Sequence, residues 1–250
     1  MLLRTEMLYT LAFHSRLHHP LRQPGQQPTR TGQLQPLRAG TLSQMRDKLP
    51  RDTYAKLVES GDRVRRIDAC PSGTLGFLFD ERGRGKKFSA VLRDAKARGY
   101  TEPDPRDDLS GMDVARKGLI LGRLLGFAGE LSDVSVESLV TPDALRMPLA
   151  KFLASLEKWD DAWAARVAKA AARGGVLRYQ VSASARRVRV GLVVADSSSP
   201  MASLRGTDNQ FVFVSDRYKS NPMVISGPGA GPDVPASGVL HDLLQLARGP

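Results

Sequence analysis

Tyr100-Thr-Glu-Pro-Asp-Pro-Arg-Asp-Asp-Leu-Ser-Gly-Met-Asp-Val-Ala-Arg-Lys117 divides into a part that resists helix and a part that begins one. Pro103 and Pro105 fix their own φ and push Glu102 and Asp104 towards extended backbone. Four acids, Glu102, Asp104, Asp107 and Asp108, crowd one loop around a single Arg106. That much like charge repels itself unless it faces cations, such as the ammonium group of a ligand. The sequence predicts a helix from Ser110, whose hydroxyl can accept from free backbone donors. Asp113 and Lys117 stand four apart and share a face, which continues as Ile120, Leu121 and Leu124. Spacing alone allows two readings. One is an exposed ion pair worth a few tenths of a kcal/mol. The other is a polar site at the head of a core-facing stripe.

Upstream of this stretch, Thr53 to Ser60 reads as a short helix closed by Gly61, and Val64 to Ala69 as a strand. Pro71-Ser72-Gly73-Thr74 is a turn whose hydroxyls can cap a following helix. Gly83, Gly85, Lys86 and Lys87 lack the earlier glycine and the Ser or Thr of a phosphate loop, so they read as a solvated basic turn. Phe88 to Arg98 is an amphipathic helix, with Ser89 near its start and Gly99 past its end.

Downstream, Leu131 to Leu139 alternates as a strand, and Pro142 opens a linker. Two helices follow, Leu149 to Leu156 and Asp160 to Arg173. The second is capped by Asp160 and ended by Gly174-Gly175. Trp159 and Trp163 share a helical face, as core residues do. Val176 to Ser182 and Arg187 to Ala195 alternate as a hairpin-like pair, with arginines on the expected wet face. Phe211 to Ser215 and Met223 to Ser226 are further strands. A glycine-rich turn, Gly227-Pro228-Gly229-Ala230-Gly231, leads into a last helix from about Val234 to Ala247. Helices followed by a run of strands predict α+β: a mixed sheet covered by helices on one face.

Composition narrows the function class. The 250 residues suffice for one or two domains with a sizeable core, and 41% apolar with 25% charged is ordinary for a globular chain. A single cysteine, Cys70, excludes an internal disulfide framework and suits a reducing compartment. Arg123 interrupts the longest apolar run, Leu119 to Ala128, so no membrane span is expected. The net charge of +11 invites nucleic acid. Yet residues 1–51 hold eight basic and two acidic residues, net +6, and no zinc spacing or aromatic RNA-binding signature accompanies them. We expect neither nucleic acid nor metal as a partner. Residues 1–51 read as a poorly structured segment rich in Gln, Pro and Arg, or as a transit-like one.

The quoted stretch, with Ser72-Gly73-Thr74-Leu75 and the Gly227–Gly231 turn in the same order, resembles homoserine dehydrogenase, alone or fused behind aspartate kinase. The resemblance runs from about Leu57 to the C-terminus. It implies NAD(P)H-dependent reduction of aspartate 4-semialdehyde to L-homoserine, on the way to threonine, methionine and isoleucine, by a homodimer. By position it implies that Glu102 and Asp108 bind the substrate ammonium and that Lys117 is the acid/base at the carbonyl oxygen. Asp113 would orient Lys117, Tyr100 and Thr74 would line the pocket, and Gly229 and Gly231 would touch NADPH or NADH. It divides the chain into an unmatched segment (1–51), a catalytic and dimerisation domain (52–226), and a turn and helix of the cofactor-binding region (227–250). The family's Rossmann fingerprint, G-x-G-x-x-G between strand and helix, is not found in residues 1–60. The resemblance therefore leaves two readings: an enzyme, cytoplasmic or plastid, or a fragment that acts only as a dimerisation module.

Overall fold

The computed structural model describes residues 51–228. The readings of residues 1–50, of Gly229 and Gly231 and of the helix from Val234 to Ala247 lie outside that range. In order the elements are α1 (Arg51–Glu59), β1 (Val64–Cys70), α2 (Gly73–Gly83), α3 (Phe88–Ala97), α4 (Pro105–Leu109) and α5 (Met112–Leu124). Then come β2 (Ser135–Val136), α6 (Pro142–Arg146), α7 (Leu149–Ala154), α8 (Asp160–Ala171), β3 (Gly175–Ala183), β4 (Val188–Asp196), β5 (Asp208–Ser215) and β6 (Met223–Pro228). No helix among the described residues is long and apolar enough to cross a membrane.

The six strands form one sheet in the order β2-β4-β3-β1-β5-β6. Only the short β2–β4 pairing is parallel; the rest is antiparallel, so the sheet is mixed. Alternation sets its faces. Ile67 and Ala69 of β1, Tyr179 and Val181 of β3, Val188 and Val190 of β4, and Phe211 and Phe213 of β5 are buried in one core with residues of α2, α3 and α5. Cys70, Ala195 and Val212 point the other way, where the turn containing Met201 and Leu204 covers them. The expected α+β fold with helices on one face is therefore the fold observed.

Two glycines let α5 lie close on the sheet. A Cβ at Gly118 would stand 2.6 Å from Val181, and one at Gly122 would stand 2.5 Å from Val188. Their i,i+4 spacing clears one groove for both side chains. On the far side of the helical layer, Phe88 stacks on Trp163 with ring centroids 5.1 Å apart. Burying such rings stabilises the fold by about 2–3 kcal/mol each. The shared face expected of Trp159 and Trp163 is thus a packing face.

Several boundaries differ from expectation. Only Ser135–Val136 of the segment Leu131 to Leu139 is strand, and Leu131–Asp133 is a 3₁₀ turn closed by the side chains of Glu130 and Asp133. Pro142 does not open a linker; it sits in the first turn of α6, where its missing N–H is harmless, and Thr141 caps that helix. Asp160 does not cap its own helix. Its carboxylate accepts from the backbone N–H (2.8 Å) and hydroxyl (2.7 Å) of Ser89, so it caps α3 from across the core. Arg178 is not on a wet face: at 3% exposure it donates to the carbonyls of Met201, Ala202 and Leu204.

Candidate active site

The acidic loop, α4 and the start of α5 pack against the N-terminus of α2. Pro105 occupies the first turn of α4, and Asp104 accepts from the Arg106 N–H to cap it. So the helix begins earlier than Ser110, while α5 begins later, at Met112 behind Gly111. Ser110 Oγ still accepts from the Met112 N–H at 3.2 Å, a contact between the two helices rather than a cap in the usual position. The bend is made by Gly111, whose φ of +74° suits glycine. A Cβ there would stand 1.9 Å from the Tyr179 hydroxyl, which donates to the Glu137 carbonyl.

Arg106 does not gather the four acids. It forks onto Asp104 alone and spends its remaining donors on the carbonyls of Ala144 and Met147, tying the loop to α6. That leaves Asp108 and Glu102 without a guanidinium. Asp108 Oδ1 lies 2.9 Å from the Thr74 hydroxyl, and Oδ2 accepts from the Glu102 N–H at 2.9 Å. The single hydroxyl hydrogen of Thr74 is contested, because the Tyr100 carbonyl stands 2.6 Å away. Burial pushes the Asp108 carboxyl above its ordinary value, and the charges of Glu102 and Asp113 push it further the same way. Burial first, and the neighbouring charges after it, disfavour a lone anion here.

Lys117 is buried to 8% side-chain exposure at the second turn of α5. Its ammonium donates to the Pro71 carbonyl at 2.9 Å and pairs with Asp113 at 3.0 Å, which leaves the third N–H unspent. Asp113 is half exposed, so this is not the solvated surface pair that spacing alone allows. Ser72 caps α2, its hydroxyl accepting from the Leu75 N–H. The turn Pro71-Ser72-Gly73-Thr74 thus holds Lys117 at one end and Asp108 at the other. Tyr100 joins through its carbonyl, while its ring meets Phe77 edge-on at 5.2 Å. Of the six described residues singled out from sequence, Thr74, Tyr100, Glu102, Asp108, Asp113 and Lys117 are all brought together. Gly229 and Gly231 lie outside the described residues.

Sequence reasoning missed the Pro71 carbonyl, which has no side-chain signature, and gave no role to Asn209, though the loop from Ser197 to Asn209 resembles the family. Asn209 is the second residue of β5, level with Pro71, and its buried carboxamide oxygen has no hydrogen-bond partner among the described residues.

The sequence model of the homoserine dehydrogenase family matches residues 51–244. The chain is 44% identical over 199 residues to the chloroplastic bifunctional aspartokinase/homoserine dehydrogenase 1 of Zea mays, covering 78% of this chain and 22% of the relative. It is 44% identical over 207 residues to the homoserine dehydrogenase of Emericella nidulans, covering 78% and 56%. Among solved structures, a Candida auris protein of unknown function superposes with a TM-score of 0.76 at 39% identity, over 82% of this chain and 59% of that one. A putative homoserine dehydrogenase from Archaeoglobus fulgidus, at 23% identity and a TM-score of 0.60, shares the fold over 79% of this chain and 53% of its own. The chain therefore spans about a fifth to just over half the length of the curated relatives it matches. Since the family pattern takes in the acidic loop, the buried lysine and the sheet beneath them, this chain belongs to the homoserine dehydrogenase family.

Proposed function

We propose that the chain carries the substrate half of an oxidoreductase that interconverts aspartate 4-semialdehyde and L-homoserine with NADPH or NADH. The observation that carries this reading is Asp108, a carboxylate with no basic side chain on it among the described residues, held at one end of the turn Pro71–Thr74 whose other end holds a buried lysine with a free N–H. The first suits the ammonium end of an amino acid, and the second suits the oxygen of its side-chain carbonyl. Glu102 would share the ammonium with Asp108. Thr74 and the Tyr100 carbonyl would shape that end of the pocket. Lys117 would hand its proton to the carbonyl oxygen as it becomes a hydroxyl, held in place by the Pro71 carbonyl and by Asp113. A bound nicotinamide cofactor supplies the hydride, and Gly229 and Gly231 would lie against it. The chain continues from β6 into that glycine pair. No described atom stands within 4 Å of a Cβ built on Gly227, which leaves room for close approach.

Steady oxidation of NADPH in the presence of aspartate semialdehyde, lost in Lys117→Ala, is the expected result for the enzyme reading. A chain that binds L-homoserine but shows no change on titration with NADPH would favour the second reading, a dimerisation module without turnover. A homodimer is part of either reading; the second sheet face, largely free of helices among the described residues, supports it. The single cysteine, buried and unpaired, suits a reducing compartment, cytoplasmic or plastid.

A further inference from the structure

We propose that Asn209 is a binding residue of this site, and that its carboxamide oxygen accepts the hydrogen bond of the homoserine hydroxyl. Three observations place it. Alternation along β5 puts Asn209 on the same face as Phe211 and Phe213, which belong to the helix-side core, and opposite to Val212. Register puts it beside the lysine anchor: Gln210 pairs with Cys70, so Asn209 stands level with Pro71, whose carbonyl holds Lys117. The strand start is pressed against the N-terminus of α2, since a Cβ on Gly73 would stand 3.0 Å from the Thr207 carbonyl.

The demand for a ligand comes from the side chain itself. Asn209 is 5% exposed, and its Oδ1 has no donor within hydrogen-bond reach among the described residues. A buried acceptor left empty costs roughly 1–3 kcal/mol, so such groups are rare unless something binds them. Lys117, held by the carbonyl of Pro71, has a third N–H unspent, and on the site reading that N–H meets the substrate oxygen. In the alcohol that oxygen carries a hydrogen of its own, which needs an acceptor. The ammonium end is already served by Asp108 and Glu102. In the aldehyde the same oxygen has no hydrogen, so Asn209 distinguishes the alcohol from the aldehyde.

This inference rests on the reading of the site as one for homoserine, and the test separates the two. Purified 250-residue protein is titrated, by NMR, with L-homoserine and with L-2-aminobutyrate, which has the same ammonium and carboxylate but no hydroxyl. Wild type should prefer homoserine. Asn209→Ala should lose roughly tenfold in homoserine affinity while 2-aminobutyrate changes less than about twofold, which also shows that the variant is folded. Asn209→Asp, which keeps an acceptor, should retain the preference. Equal weakening of both ligands, unchanged preference in Asn209→Ala, or lost preference in Asn209→Asp overturns the inference and leaves the site reading standing. Wild-type protein that binds neither amino acid overturns the site reading and the inference with it.

Discussion

Asp108 illustrates how one side chain can weaken a fold and suit it to a ligand. Its carboxyl is held above the ordinary 3.8, first by burial and then by the charges of Glu102 and Asp113. The Thr74 hydroxyl and the Glu102 N–H pull the other way without prevailing. A carboxyl raised on folding favours the protonated form. Its contribution to stability is complete below the unfolded value and is lost as pH rises through the folded value. At neutral pH the unliganded protein therefore carries a penalty at this position. Asp108→Asn should raise Tm by about 2 °C at pH 7 and remove measurable homoserine binding, by calorimetry and titration together. A bound ammonium should draw the carboxyl back down. Homoserine affinity should fall as pH drops through the raised titration of this carboxyl, and binding there should release a proton. Titration calorimetry in two buffers of different ionisation enthalpy measures that proton; equal heats in both would contradict the assignment.

At the level of elements, the α4–α5 corner sets the geometry of the site. Gly111 makes it, with a positive φ and no room for a Cβ beneath the Tyr179 hydroxyl. Gly111→Ala should cost about 3 kcal/mol or more, roughly 6–12 °C in Tm for a chain this size. Removing the obstructing oxygen with Tyr179→Phe should recover part of that loss, read as a coupling in a double-mutant cycle. The α3 start depends on a residue 71 positions away: Asp160→Ala strips acceptors from both the Ser89 N–H and its hydroxyl. Thermal unfolding should show a loss of about 1–3 kcal/mol. These two elements also mark what was legible in the sequence. Helical periodicity and the i,i+4 spacing of Asp113 and Lys117 gave the helix and its polar head, because both are local. Asp160 was read as capping its own helix because local sequence cannot reveal a competing donor from a distant segment. Arg178 was read as wet because it alternates with Gln180 and Ser182; the turn at Met201–Leu204, folded back over it, supplies three of the carbonyls that satisfy its buried guanidinium.

At the scale of the whole sheet, the described residues bury one face under helices and cover the other only in part. The alternation of each strand foretold a two-faced sheet, but the strand order did not follow from it. β1 is central because it pairs with both β3 and β5, more than a hundred residues later, and no local signal encodes such partners. The proposed homodimer would use the second face. Val224 on edge strand β6 is 38% exposed and pairs with Val212, which points to that face. Ile225 and Met223, on either side of it, pack instead against the helix-side core, so a change at Val224 leaves that core untouched. A lysine at Val224 would place a charge against its own copy across a two-fold axis, where like charges desolvate and repel. Val224→Lys is expected to convert a species of twice the 27.2 kDa chain mass into one of the chain mass in sedimentation velocity. Homoserine binding should persist if the site is complete within one chain. A variant that still sediments as the dimer would place the interface elsewhere on the molecule, and wild type that sediments at the chain mass would remove the dimer from both readings.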